Sequence, residues 1–151
     1  MTAVVANKGM GVPAYKAGSY VQEYTTGKND AFVRFYTEGQ TKPEGNWMMK
    51  FQDVKGLNPE QIQVKNGMPN TPTHMVDVNP PVGTTVRMGT AGPGFVPNGG
   101  GGNQYELMEN IPTSSFTNPI EIPEVTTAVI APMIEIPIVE PEIPIIDPII
   151  P

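Results

Sequence analysis

The chain contains no cysteine, a single histidine (His74) and a single tryptophan (Trp47). Without thiols there is no disulfide framework, no thiolate metal site and no cysteine nucleophile, and either redox compartment remains open. One histidine excludes histidine-rich metal centres, so no metal is expected. A Ser–His–Asp triad would have to use His74, and no G-x-S-x-G turn presents a serine. The carboxylates are scattered through loops and tail, with no pair that spacing brings together for glycoside hydrolysis. Basic residues are scarce in one half: all 9 Lys and Arg lie at or before Arg87, whereas 8 of the 15 acidic residues follow it, for a net charge of −6. That balance lacks the broad basic surface on which phosphate backbones bind, and it disfavours a nucleic-acid partner. The N-terminus has no basic segment followed by a sustained apolar stretch, so no signal peptide is expected. Upstream of the tail, no run approaches the roughly 18 apolar residues of a membrane span.

Proline and glycine, at 18 and 16 of 151 residues, are abundant. From Pro119 the sequence reads PIEIPEVTTAVIAPMIEIPIVEPEIPIIDPIIP, and each proline removes a backbone donor and fixes φ, which excludes a helix. The acids among these prolines make lipid insertion costly. Residues 119–151 are expected as an extended Pro/Ile-rich tail, either a linker or a segment that docks by adding an edge strand. A flexible N-terminus, 1–11, then precedes one folded domain, 12–118, long enough for a small core.

Within that domain, Tyr15–Thr25 and Asp30–Thr37 flank the turn-forming Thr26-Gly27-Lys28-Asn29 and predict a hairpin. Phe32, Arg34 and Tyr36 share one face of the second strand, and Val33 and Phe35 the other. Arg34 either snorkels to solvent or meets a phosphate or carboxylate in a cleft. Trp47–Phe51 reads as a short strand. Asn58-Pro59-Glu60-Gln61 carries an N-cap, a proline at the first helical position and the second half of a capping box, predicting a helix that stops at Asn66-Gly67. Met75–Val78 and Thr84–Met88 alternate on either side of Pro80–Gly83, and a last strand follows near Gln104–Met108. The expected class is α+β: a small antiparallel sheet of short strands, one main helix on one face, and long loops.

The run Gly99–Gly102 precedes Gln104 and Tyr105. It reads either as a flexible loop or as a backbone cradle whose N–H groups converge on a ligand. The remaining inventory is Arg34, Arg87, Gln104, the aromatics Trp47, Tyr36 and Tyr105, and the cradle glycines Gly100 and Gly101. Cleavage of the nicotinamide–ribose bond of NAD suits a site without a strong acid or base, because the leaving group is already cationic. Arginine would bind the pyrophosphate, aromatics would stack a ring, and the glutamine would orient ribose and water. A ribonuclease using His74 as base, with Arg87 or Arg34 on the phosphorane, is one alternative. A non-enzymatic binding or structural module acting through the acidic Ile/Pro tail is the other.

The strings FVRFYTEG, PEGNWM and GLNPEQIQVKNGMPNTPTHMVDVNPPVGTTVRMGTAGPGFVPNGGGGNQYEL resemble, in that order, the C-terminal toxin domains of bacterial polymorphic and contact-dependent toxins. Within that group they are similar to TNT-type NAD glycohydrolase domains, over residues 30–118. The resemblance implies a cofactor-free enzyme with NAD, or another small nucleotide, as substrate. It matches Gln104 to the amide that orients substrate and Arg34 to the strand arginine that binds phosphates, with Arg87 as a second phosphate or ribose contact. It also implies a cognate immunity protein as partner, and secretion or delivery into a target-cell cytoplasm. Gly39 falls two residues later than the pattern, an extra glycine widens the cradle, and the tail lies outside it. The same toxin class includes ribonucleases and ADP-ribosyltransferases.

Overall fold

In the computed structural model, which describes residues 1–122, the strands form two antiparallel sheets. β1 (Gln22–Thr25), β5 (Thr85–Thr90), β6 (Asn103–Leu107) and β3 (Trp47–Met48) lie side by side in that order. The second sheet orders β2 (Phe32–Tyr36), β4 (His74–Val78) and β7 (Phe116–Glu121). A bridge between Val33 and Met49 ties the two together at one margin. Among the described residues, three short α-helices, α1 (Ala3–Ala6), α2 (Phe51–Val54) and α3 (Pro59–Asn66), and a 3-10 turn at Thr113–Ser115 complete the elements. The class is the α+β arrangement that the alternation predicted. Among the described residues no helix is long and apolar enough to cross a membrane.

The core lies where the sheets meet. Met48, Val86, Tyr105 and Leu107 from the first sheet pack against Phe32 and Val78 from the second, and Met48, Val78 and Val86 are wholly buried. Each such side chain contributes on the order of 1.5–3 kcal/mol when fully buried. A second cluster places Val33, Phe35 and Met49 against Val54 and Ile62, which docks α2 and α3.

α3 forms as its caps dictate. Asn58 Oδ1 accepts from the Gln61 amide at 2.8 Å, and Gln61 Oε1 accepts from the Asn58 amide at 2.9 Å. Gly67 closes the helix in the left-handed region, with its amide on the Val64 carbonyl.

Both expected strand pairs are corrected. β1 pairs with β5 and β2 with β4, so 15–25 and 30–37 form no hairpin, and Met75–Val78 and Thr84–Met88 belong to different sheets. The turns exist, but each carries the chain from one sheet to the other. They are lashed together: Thr26 Oγ1 donates to the Pro81 carbonyl and accepts from the Thr84 amide, and the Thr26 carbonyl accepts from Gly83. A turn signal is local, whereas the partner strand is chosen by burial on the far side of the molecule. The Trp47–Phe51 strand is shorter than expected, because Phe51 begins α2.

The first residues, expected as a flexible lead-in, pack. Thr2 caps α1, Ala3 and Ala6 are buried with Tyr15 and Val21, and the Met1 amino group donates to the Val21 carbonyl at 2.8 Å. At the other end β7 runs past residue 118. Its register shifts opposite Met75 and Asp77, at a bulge where Asn118 has φ 55° and Pro119 needs no partner for its missing donor. The remainder of the expected tail, 123–151, lies outside the described residues.

Candidate active site

The outward face of the β1-β5-β6-β3 sheet carries a transverse row set by strand register: Glu23 opposite Arg87, Arg87 opposite Glu106, and Glu106 opposite Trp47. Gln104, two residues before Glu106 on β6, shares that face, opposite Gly89. Over this surface lies the strap Met10–Tyr15. Asn7 holds it by accepting from the Tyr15 amide through Oδ1 and donating to the Tyr15 carbonyl through Nδ2, both at 2.9 Å. The Ala14 carbonyl accepts from Gln104 Nε2 at 2.8 Å and from the Gly92 amide at 2.9 Å. The Tyr15 ring rests on Gly89, where a β-carbon would come within 2.7 Å of it, and beside Trp47 at 5.7 Å between ring centres.

Beside this strap opens a cavity of about 570 Å³. That is the size range of small-molecule sites. Its walls are the strap residues 10–14, Arg34, Phe35 and Thr37 on and after β2, Trp47 and Met49, the segment 66–70 after α3, Phe95, and Gln104 with Glu106. Arg34, Trp47 and Gln104 therefore line one hollow. Among the described residues the only ionisable side chains in its lining are Arg34 and Glu106, and they do not pair with each other.

Arg34 has a second occupation. Its Nε donates to the Pro43 carbonyl at 3.0 Å, Nη1 to the Trp47 carbonyl and Nη2 to the Lys42 carbonyl, each at 3.1 Å. The guanidinium also packs so close to Gly45 that no β-carbon fits there. Three of its five N–H groups thus clasp the 42–47 loop, leaving one on each terminal nitrogen for a ligand. Burial pulls the guanidinium below its ordinary pKa, and the charge of Glu44 opposes that shift. Gln104 is buried, and with its Nε2 committed to Ala14 its Oε1 has no hydrogen-bond partner among the described residues.

Sequence reasoning passed over Glu106. Its Oε1 accepts from the Tyr15 hydroxyl at 2.9 Å. Burial raises the carboxyl above its ordinary value, while the Tyr15 hydrogen bond and the Arg87 charge lower it. The signal was available: in a strand, a residue two beyond Gln104 must face the same way. Tyr15 had no such signal.

The other expected site residues stand elsewhere. Arg87 lies in the transverse row outside the cavity lining, 3.6 Å from Glu23 Oε2, with its Nε buried and without a hydrogen-bond partner. Tyr105 points the opposite way from Gln104, into the core, with its ring 5.1 Å from Phe32. Tyr36 stacks on His74 at 5.3 Å, and neither lines the cavity. His74 is held by Thr73 Oγ1 at Nδ1 and by Glu38 at Nε2.

The glycine run is not an open cradle. The Gly100 amide donates to the Val64 carbonyl at 2.7 Å, Gly101 to Ala91 at 2.8 Å and Gly102 to Lys65 at 3.0 Å. Gly99 donates to Val96 at 2.9 Å. Val64 and Lys65 are in the last turn of α3, so the run adds to the capping that Gly67 begins: Gly100 shares the Val64 carbonyl with Gly67, and Gly102 takes the Lys65 carbonyl. Gly100 combines φ +99° with a backbone so close to Gly92 that a β-carbon would come within 2.6 Å. Gly100 and Gly101, expected as ligand contacts, are accordingly consumed by the fold.

No family model matches the chain, and no curated protein matches it. Among solved structures it shares its fold with a chain of the structure of Tne2 in complex with Tni2. The alignment has a TM-score of 0.55 at 16% identity and covers 73% of this chain and 98% of that one. At that identity the likeness to the Tne2–Tni2 chain is one of fold. It spans nearly the whole of the neighbouring chain.

Proposed function

We propose that this protein is a toxin-type NAD glycohydrolase, cleaving NAD to nicotinamide and ADP-ribose. The observation that carries this reading is the convergence of Arg34, Trp47 and Gln104 on one cavity, from segments distant in sequence. The shared fold with the Tne2–Tni2 chain supports the toxin class, and the complex in which that chain occurs supports a cognate protein partner of the immunity type.

In this mechanism the two uncommitted N–H groups of Arg34 hold the pyrophosphate, and the Trp47 ring packs on one of the substrate rings. The bond between C1′ of the ribose and the nicotinamide nitrogen breaks, its electron pair leaving with a ring that becomes neutral. The water held by Gln104 Oε1 forms the new bond to C1′ and releases its second proton to solvent. Because the leaving group starts cationic, the catalytic gain comes from fixing water and sugar in attack geometry rather than from proton donation.

The test is nicotinamide release from NAD by the purified full chain. We expect turnover that falls at least about 100-fold in Gln104→Ala, as for loss of a group acting in the transition state. Turnover no higher in the wild type than in this variant would reject the reading.

A further inference from the structure

We propose that Glu106 contacts the positively charged nicotinamide–ribose half of the substrate, and that it makes the site select oxidised NAD over its neutral, reduced form. The inference rests on the glycohydrolase reading and adds a substrate contact that this reading does not require.

Three observations carry it. Glu106 lines the cavity two residues from Gln104 on the same face of β6, so whatever Gln104 orients lies within reach of the carboxylate. The transverse row places one cation, Arg87, between two anions, Glu23 and Glu106, and is net negative where it enters the cavity. The other ionisable wall residue, Arg34, is a cation that Glu106 does not neutralise. A hollow offering a charge of each sign, not paired with each other, suits a ligand carrying both. NAD does so, with an anionic pyrophosphate and a cationic pyridinium. A purely anionic nucleotide would put no positive charge near the carboxylate, which is half-buried and therefore poorly screened.

The positive charge moves during the reaction from the ring to the ribosyl carbon as the C1′–N bond breaks. A fixed carboxylate beside that bond stabilises the charge at both stages, and the sugar's hydroxyls can donate to the oxygen that Tyr15 leaves free. Tyr15 is a positioning residue: its hydroxyl holds Oε1, and its ring is set by Gly89 and Trp47. The charged or titratable groups facing Glu106 are Tyr15 from the strap and Arg87 from β5, with Glu23 of β1 behind Arg87.

The experiment uses the full chain. On the Gln104→Ala background, binding of NAD, of NADH and of ADP-ribose is compared with and without Glu106→Gln, which keeps an acceptor for Tyr15. We expect NAD to bind about tenfold more tightly than NADH, a preference that Glu106→Gln abolishes while ADP-ribose affinity is retained. With Gln104 intact, Glu106→Gln should lower kcat more than it raises KM. Tyr15→Phe removes a hydrogen bond that lowers the Glu106 pKa, so it should move the acid limb of the kcat/KM profile to higher pH. The same preference for NAD in Glu106→Gln, unchanged kcat, or an acid limb unmoved in Tyr15→Phe overturns the inference. Absence of nicotinamide release from the wild type, with the Glu106-dependent preference intact, would sink hydrolysis and leave the cation contact standing. No binding of NAD at all would overturn both.

Discussion

The Tyr15 hydroxyl donates to Glu106 Oε1 at 2.9 Å across 91 positions of sequence. Through that bond the N-terminal strap is attached to the face of β6 that lines the cavity, beside the bond from Gln104 Nε2 to the Ala14 carbonyl. The residues that hold the strap down, Gln104 and Glu106, are also residues of the cavity wall, so the site's geometry and the packing of the N-terminus are one construction.

The first consequence concerns pH and stability. Burial raises Glu106 above an ordinary carboxyl, so the folded state holds its proton more tightly than the unfolded chain. Its contribution is therefore fully present below the unfolded value, near pH 4, and is lost as pH rises through the folded value. Glu106→Gln removes that loss. Its Tm should rise relative to wild type as pH goes from about 4 to about 7, in thermal melts across a buffer series. A difference that does not change with pH would contradict this.

Arg34 should prove as important to folding as to ligand. A lysine cannot satisfy the carbonyls of Lys42, Pro43 and Trp47 together, so Arg34→Lys should cost about 2–4 kcal/mol and lower the urea midpoint. Wild-type stability with only a raised KM would assign the side chain to the ligand alone.

The glycine run predicts a graded series. Gly100→Ala meets both the φ penalty and backbone contact with Gly92, whereas Gly101 shares the φ but has open space around its missing side chain. Gly101→Ala should cost about 1–2 kcal/mol and Gly100→Ala clearly more, measured by chemical denaturation. Equal costs would mean that the close approach to Gly92 is not what demands glycine.

His74 separates the two enzymatic chemistries. His74→Ala removes a stack on Tyr36 and a contact with the exposed Glu38, costing no more than about 1–2 kcal/mol. Nicotinamide release should be unchanged. If His74→Ala instead abolished cleavage of RNA by the wild-type protein, the ribonuclease chemistry would replace the one proposed.

Helix α3 offers a calibration of the local reading. Asn58→Ala breaks a complete capping box and should destabilise the protein by about 1 kcal/mol. Circular dichroism melts would measure it.

The features legible in advance were those encoded within a few residues. The capping box at Asn58, the stop at Gly67, the positions of most strands and the alternation that puts Arg34 opposite in facing to Val33 and Phe35 all depend on neighbours in the chain. Glu106 belonged to this group too, because strand periodicity ties its facing to that of Gln104. The glycine run was legible as a place where backbone comes close to something. Its true neighbour, the C-terminal turn of α3, lies in a separate segment.

Sequence patterning thus specified the α+β class and the helix with its caps, since propensity, caps and periodicity act over a few positions. Strand partners, the division into two sheets, the burial of the N-terminal strap and the meeting of Arg34, Trp47, Gln104 and Glu106 were left to long-range burial. Cross-sheet packing, which no local window samples, turned Tyr105 inward to Phe32 and brought Tyr15 over Gly89 to Glu106.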